Sequence, residues 1–213
     1  MYLPGHFEET RIEVLHQLMR EHPLATLVTL GAAGLSANHL PIEVDAAPAP
    51  NGTLRCHVAR ANPVWRDHSL DTEALVIFQG AQAYISPSWY ETKKQTGEVV
   101  PTYNYAVVHA SGALRIIEDR AWLRGLVTRL TERFESASAV PWQVSDAPQD
   151  FIDKQLGAIV GIEVAVTRLV GKWKVSQNRP APDRAGVVEA LSETAGADSL
   201  AIAQMIKERS SSS

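Results

Sequence analysis

Apolar and polar residues alternate in several segments of this chain, and a period of two predicts β-strands. The glycine-rich turn at residues 31–34 is short enough to join two of these segments as a hairpin. Pro41 falls inside one segment and indicates an edge strand or a bulge, because proline donates no backbone hydrogen bond. The predicted strands are 24–30, 35–44, 54–58, 74–87 with a kink at Gly80, 99–117 and 158–170.

Apolar residues at helical spacing predict helices at the start, in the middle and at the end of the chain. Asp119 precedes one of them and is predicted to act as its N-cap, and Asp150 or a nearby residue is predicted to cap a shorter one. The predicted helices are 8–20, 120–134, about 151–156, 184–191 and 199–208, whereas residues 91–98 are predicted to form a charged, mobile loop.

Six or seven strands joined mostly by short turns, with helices around them, predict a mainly β fold. This pattern fits an antiparallel barrel with peripheral helices better than alternating βαβ units. The sequence contains no internal repeat and no domain linker. We therefore expect one barrel domain over residues 1–180, followed by a helical appendage over 181–213 that ends in a disordered tail, Ser210–Ser213.

The composition limits the possible partners and the compartment. The 213 residues carry a formal net charge of −4, so no general attraction to nucleic acid or to an anionic membrane is expected. The single cysteine, Cys56, excludes an internal disulfide and favours the reducing cytoplasm. No apolar run is long enough to span a bilayer, and the N-terminus lacks the pattern of a secretory signal.

The strand 54–58 ends in a polar loop that contains Arg60 and Asn62, and Pro63 stops further regular pairing. A guanidinium, a side-chain amide and free backbone N–H groups at the end of a strand are suited to holding a phosphate. Taken alone, this stretch is better explained as an edge strand with a solvated arginine and a turn asparagine, and the other polar stretches are what favour a binding site.

Two further polar stretches have the spacing of strand faces. Lys172, Lys174 and Ser176 alternate and would share one face, where two ammonium groups and a hydroxyl can hold a dianionic phosphate. A solvated basic edge strand is the alternative. Thr102 and Asn104 would also share a face and reach polar ring edges, or else line the wet end of a barrel.

Several kinds of site are not supported. The seven histidines lack metal-binding spacing, and the chain has no GxSxG, GxGxxG or P-loop motif. His39, next to Pro41, is typical of a structural histidine. Residues 187–191, 195–197 and 199–209 have the outline of a helix-turn-helix, but the last helix carries only Lys207 and Arg209 at its end, so packing against the barrel is the favoured role.

These motifs together resemble the PaiB-type "FMN-binding negative transcriptional regulator" family, over residues 1 to about 184. Two positions depart from the family pattern: Tyr103, where tryptophan is common, and Cys56, where glycine is common. The stretches that carry the resemblance are 22–27, 38–41, 57–65, 78–80, 84–90, 100–105 and 171–178.

The resemblance implies an FMN-binding split barrel, similar to pyridoxamine-phosphate oxidases and flavin reductases, and a homodimer with two FMN sites at its interface. Arg60 and Asn62 would hold the FMN phosphate, with Lys172, Lys174 and Ser176 as further candidates. The remaining expected contacts are Asn38, His39 and Leu40 along the isoalloxazine edge, Thr102 and Asn104 near the ring or ribityl chain, Gln177 and Asn178 at either, and His57 within the same motif set.

Three functions remain open at this point. The first is a flavin-binding transcriptional regulator, with DNA as a weakly supported partner. The second is an FMN-dependent oxidoreductase or flavin reductase with Trp89, Tyr90 and Tyr103 around a substrate pocket. The third is a ligand-binding module without turnover, or a haem-handling relative that uses His39, His57 or His109. No acid, base or nucleophile stands out, so no catalytic residue is assigned.

Overall fold

A computed structural model describes residues 1–194 and 196–211 of the chain, and these residues form eight β-strands and six α-helices. The strands are β1 (Glu8–Glu9), β2 (Leu24–Gly31), β3 (Gly34–Pro41), β4 (Glu43–Asp45), β5 (Thr53–Ala59), β6 (Ala74–Ile85), β7 (Thr102–Ile117) and β8 (Ile159–Lys174). The helices are α1 (Ile12–Glu21), α2 (Glu91–Gln95), α3 (Arg120–Glu135), α4 (Gln149–Gly157), α5 (Ala181–Glu193) and α6 (Ala197–Ser211).

The strands form one sheet in the order β3-β2-β6-β7-β8-β5-β4, and β1 also pairs with β8. β2 and β3 form the predicted antiparallel hairpin, in register from Leu24 opposite Pro41 to Gly31 opposite Gly34. Gly34 has a φ of 106°, a conformation that glycine adopts without strain. Pro41 is the last residue of β3, which lies at one end of the strand order, so the predicted edge is confirmed.

The described residues divide into two compact units, each built from three chain segments. The first unit comprises residues 1–18, 79–108 and 170–211, and Leu18, Ile85 and Ile202 are buried in its core. The second unit comprises residues 19–78 and 109–169 (the second segment including α3 and α4), and Leu27 and Leu126 are buried there. Each of the three long strands, β6, β7 and β8, contributes residues to both units.

The structure corrects the predicted strand number from six or seven to eight. Glu8–Glu9 is a strand paired with β8, so the predicted helix start at residue 8 is wrong and α1 begins at Ile12. The predicted strand 35–44 is interrupted at Ile42, which is buried and donates its backbone N–H to the carbonyl of Pro23 at 2.9 Å. This contact ends the pairing of β3 and separates it from β4.

Two predicted irregular segments are partly helical. The segment 91–98 contains the short helix α2, and the predicted tail is wrong for Ser210 and Ser211, which belong to α6. Ser212 and Ser213 lie outside the described residues, as does Ala195 of the predicted helix-turn-helix.

The Asp119 cap is confirmed, since its Oδ1 accepts the N–H of Trp122 at 2.7 Å. Asp150, by contrast, lies in the first turn of α4 without capping it.

None of the helices in the described residues combines the length and the apolar character needed to cross a membrane.

Candidate functional site

The polar residues singled out by the sequence fall into two groups, one in each unit. In the first unit, β7 and the end of β8 place Lys174 beside Thr102. The Lys174 Nζ donates to the Thr102 hydroxyl and, at 2.7 Å, to the carbonyl oxygen of Tyr103. Both acceptors are uncharged, so these hydrogen bonds fix the position of the ammonium without neutralising it.

A buried hydrogen bond between Asn104 and Ser176 supports this arrangement. Asn104 and Ser176 are 1% and 3% exposed, and the Asn104 Nδ2 donates to the Ser176 Oγ at 2.8 Å. Ser176 has a φ of 63°, in the left-handed region that residues other than glycine seldom adopt. The strained turn after β8 is therefore tied to β7 by a side-chain contact.

Two more cations lie near Lys174. Lys172 is buried, donates to the carbonyl of Tyr2 at 3.1 Å, and places its ammonium 5.4 Å from the ring centre of Tyr105. Burial, together with the positive charges of Lys172 and Arg179, lowers the pKa of Lys174. We call Lys172, Lys174 and Arg179 the cation group.

Among the described residues, no carboxylate oxygen lies within 4.0 Å of a charged nitrogen of the cation group. The mutual repulsion of the three charges is therefore not relieved by an ion pair in this part of the chain. An anion bound beside Lys174 would relieve it, which makes the group an anion-binding candidate.

Gln177 and Asn178 occupy the turn between the cations. The Gln177 Oε1 accepts the N–H of Val175 at 2.8 Å, and its Nε2 donates to the carbonyl of Trp173. Gln177 thus shapes the turn, whereas Asn178 is exposed.

In the second unit, Arg60 already has three partners. Its Nε donates to the carbonyl of Gly157 at 3.0 Å, and its two terminal nitrogens donate to Glu118 at 2.6 Å and to the carbonyl of Ile159 at 3.2 Å. Glu118 neutralises the guanidinium, and a phosphate would have to displace these acceptors. The predicted phosphate contact at Arg60 stays a prediction.

Asn62 joins the loop after β5 to strand β3 in the same unit. Its Oδ1 accepts the N–H of Val64 at 3.0 Å and caps the turn at residues 63–65, while its Nδ2 donates to the Asn38 Oδ1 at 2.8 Å. The neighbouring His39 places its Nδ1 3.1 Å from the Thr26 hydroxyl, and Leu40 is half-buried on β3. The structure thus brings Asn38 and Asn62 together, and their predicted contacts with FMN stay predictions.

His57 differs from the other candidates because this half-buried side chain holds a buried nitrogen without a partner. Its Nδ1 is inaccessible and has no hydrogen-bond partner among the described residues, and burial lowers its pKa. Burial also raises the pKa of the adjacent Cys56 thiol to about 12, which excludes a reactive thiolate at neutral pH.

Sequence reasoning did not assign Tyr2 or Arg179 to the site. Tyr2 contacts Lys172 through its carbonyl and its ring, and no periodicity signals a contact across 170 positions. Arg179 belongs to the same polar stretch of the sequence as Lys174 and Ser176, and in the structure its N–H donates to the Ser176 carbonyl at 3.0 Å and closes the turn.

Comparison with known proteins identifies the family. The family model described as "Putative FMN-binding domain" matches residues 1–168. The Bacillus subtilis "Protease synthase and sporulation protein PAI 2" is 30% identical over 98% of this chain and 98% of its own length. The chain belongs to the PaiB-type FMN-binding family. An uncharacterized protein of Emericella nidulans is 35% identical and covers 98% of this chain and 97% of its own length.

The fold agrees with that of a solved flavoprotein. The FAD and heme binding protein of Mycobacterium smegmatis superposes with a TM-score of 0.57 at 18% identity, covering 78% of this chain and 73% of that one. The predicted class, a mainly antiparallel split barrel, is confirmed. The family description names FMN, so the cofactor expected from the resemblance is confirmed as well.

The residues of the first unit fit a flavin mononucleotide by their donor chemistry. A phosphate dianion suits the two ammonium groups and the guanidinium of the cation group. The half-buried Thr102 hydroxyl matches the polar ribityl chain and ring edges, whereas Asn104 and Ser176 are buried and bonded to each other, so their predicted contacts with FMN stay predictions. In the second unit, Asn38 and Asn62 supply amides, and the nearby Arg60 guanidinium is already paired with Glu118.

Proposed function

We propose that this PaiB-type protein holds FMN through the cation group and acts as a flavin-binding regulator of transcription. The observation that carries the binding proposal is the pairing of Lys174 with uncharged acceptors only, beside two further cations. A bound phosphate supplies the missing counter-charge. The isoalloxazine ring provides redox chemistry when the cofactor is bound, and the protein orients it and limits its contact with water.

The regulatory role is supported by the relative from Bacillus subtilis, whose name refers to protease synthesis and sporulation. The net charge of −4 means that binding to DNA would depend on a local basic surface. A gel-shift titration at low salt with the DNA upstream of the gene tests this role. Retention of that DNA in preference to an unrelated sequence supports it, and equal or absent retention contradicts it.

The second candidate function is an FMN-dependent oxidoreductase or flavin reductase, and one observation favours it. Tyr84 and Tyr103 are 49% and 55% exposed, and their rings meet edge to face at 5.8 Å next to Thr102. Such a surface suits stacking of an aromatic substrate. Oxidation of NADH or NADPH that requires added FMN would support this function, and its absence with several acceptors would favour the regulator.

We also propose that the protein is a homodimer in the cytoplasm. The support is the family resemblance and the exposed apolar side chains of the β2–β3 hairpin, where Leu24 and Leu35 are 68% and 79% exposed. Light scattering after size-exclusion chromatography should give twice the 23.3 kDa mass of the chain. A monomer at all concentrations would contradict the proposal.

The FMN proposal is tested by titrating the purified protein with FMN and following flavin absorption and fluorescence. Replacing Lys174 by Gln should weaken FMN binding about 10- to 100-fold, the effect of losing a charged hydrogen bond. Lys154→Gln is the matched control, because Lys154 is exposed on α4 outside the cation group. FAD and haem are titrated in parallel, since a relative of this fold binds both. Unchanged binding by Lys174→Gln would contradict the proposed position.

A further inference from the structure

A concave site lies in the first unit beside the turn after β8. It is a cleft of about 320 Å³ between the N-terminal residues, this turn and the helices α5 and α6. The buried side chains of Val175 and Ile206 form its apolar floor, and Arg184 of α5 and Arg209 of α6 line it. An apolar surface with a few convergent polar groups is the usual composition of a small-molecule site.

The charge of the cleft is positive. The Glu9 carboxylate, which does not line the cleft, accepts hydrogen bonds from both Arg11 and Arg209. Arg184 donates to the carbonyl oxygen of Arg179 at 2.9 Å, an uncharged acceptor that does not neutralise the guanidinium. None of the residues that line the cleft carries a carboxylate.

We propose that this cleft binds a small organic carboxylate. The planar guanidinium forks of Arg184 and Arg209 match the two oxygens of a carboxylate, and a short apolar body would rest on Val175 and Ile206. Inorganic phosphate offers the same charge without an apolar part. The apolar floor therefore favours the organic anion over phosphate.

The position of Arg184 couples the cleft to the cation group. Arg184 holds the carbonyl of Arg179, and the N–H of Arg179 closes the turn on the carbonyl of Ser176. A carboxylate that draws the Arg184 guanidinium toward itself competes with the Arg179 carbonyl and loosens this turn. This step alone rests on the FMN site proposed above. If FMN binds there, carboxylate binding weakens FMN binding, and FMN weakens carboxylate binding by the same factor.

The experiment uses the full-length protein without added flavin, so that it does not depend on the FMN proposal. Butyrate and inorganic phosphate are titrated separately by calorimetry or by NMR. Butyrate should bind saturably and more tightly than phosphate. Arg184→Gln should weaken butyrate binding about tenfold, whereas Lys154→Gln, which also removes one positive charge, should leave it unchanged.

A second variant guards against loss of the fold. Ser210→Asp places a negative charge on an exposed residue of the cleft wall and leaves both arginines in place, so it should weaken butyrate binding as Arg184→Gln does. Circular dichroism confirms that each variant is folded. Absence of saturable butyrate binding, or equal binding by both variants and the wild type, overturns the proposal.

FMN is then added as a competitor. Weakening of butyrate binding by a constant limiting factor supports two coupled sites. Complete displacement that rises in proportion to FMN would mean that the cleft is itself the FMN phosphate site, and would overturn the proposal. If butyrate binds and FMN does not, the carboxylate site stands and the proposed function fails.

Discussion

At Arg60, the FMN-phosphate contact expected from the resemblance and the hydrogen bonds observed in the structure predict different effects of a substitution. Its guanidinium joins the end of β5 to the carbonyls of Gly157 and Ile159 and pairs with Glu118. Replacing Arg60 by Gln should lower the free energy of unfolding by about 1–2 kcal/mol, because it removes these bonds at a partly exposed site. We expect its FMN affinity to stay close to that of the wild type.

Urea unfolding and FMN titration of Arg60→Gln and Lys174→Gln give the comparison. The structure predicts opposite patterns: a stability loss with unchanged affinity at position 60, and an affinity loss at position 174. Should Arg60→Gln lose FMN binding while keeping its stability, the phosphate contact predicted from the sequence resemblance would be correct.

His57 gives a pH-dependent contribution to stability. Burial lowers its pKa below the usual value of 6.5, so the unfolded chain binds more protons than the folded chain between these two values. Stability is therefore lost as the pH falls below 6.5 toward the lowered pKa and is recovered as it rises. His57→Leu removes this titration and should reduce the difference in unfolding free energy between pH 7.5 and pH 5.5.

Denaturant unfolding at the two pH values measures this difference. His109→Leu is the natural comparison, since burial also lowers the pKa of His109. If the difference in unfolding free energy between the two pH values is the same for His57→Leu and the wild type, His57 does not destabilise the protein on acidification.

At the level of single residues, the sequence predicted which polar side chains lie close together only where they alternate along one strand. Thr102 and Asn104 were expected on one face of a strand, and both contact residues of the segment 174–176. The contacts that saturate Arg60 come from positions 58 to 99 residues away, so no local spacing could have shown that its guanidinium is already paired.

At the level of elements, Glu9 joins β1 to the start of α1 and to α6. Its carboxylate is 4% exposed and accepts bonds from Arg11 and from Arg209. Although burial acts to raise its pKa, the bonds and charges of these two arginines lower it. The stabilisation is present above the unfolded pKa of about 4.5 and is lost as the pH falls through the lowered value.

Glu9→Gln should therefore destabilise the protein by about 1–3 kcal/mol at pH 7, because it leaves two guanidinium groups beside a neutral amide. Glu8→Gln, at the exposed neighbouring position of β1, is the matched control. Thermal and urea unfolding at pH 7 and pH 3.5 measure both variants. The difference between Glu9→Gln and the wild type should shrink at the lower pH, and a difference that does not change would contradict the role of the ionised carboxylate.

Long elements with a regular pattern of apolar residues were predictable, whereas very short elements were not. β2, β3, β5, β6, β7 and β8 and the helix α3 follow from alternation, from helical spacing and from the Asp119 cap. β1 has two residues and α2 has five, which is too short for a periodic pattern. β1 exists because Glu8 and Glu9 pair with Lys172 and Gly171 from the far end of the sequence.

At the scale of the whole molecule, the two units are discontinuous in sequence. The first unit combines the start of the chain, residues 79–108 and residues from 170 onward. Since β6, β7 and β8 run on without a linker, composition contains no signal for this division. The helices α5 and α6 pack on each other within the first unit, and the predicted boundary between residues 180 and 181 stays a prediction.

This division provides the last prediction, since the two groups of candidate residues lie in different units. If FMN binds at the cation group, hydrogen exchange should slow in peptides that cover residues 99–108 and 170–180 when FMN is added. Peptides that cover residues 54–66, with Arg60 and Asn62, should change less. At an FMN concentration 100 times the dissociation constant, stabilisation should reach about 2.7 kcal/mol, enough for exchange to report it.

Lys174→Gln at the same FMN concentration is the control and should remove most of the protection in the first unit. Protection concentrated at residues 54–66 would place the phosphate at the end of β5, where the resemblance put it. In that case Glu118 must release Arg60, because one guanidinium paired at 2.6 Å with a carboxylate does not also neutralise a phosphate dianion. The location of the protection therefore shows which of the two groups supplies the counter-charge.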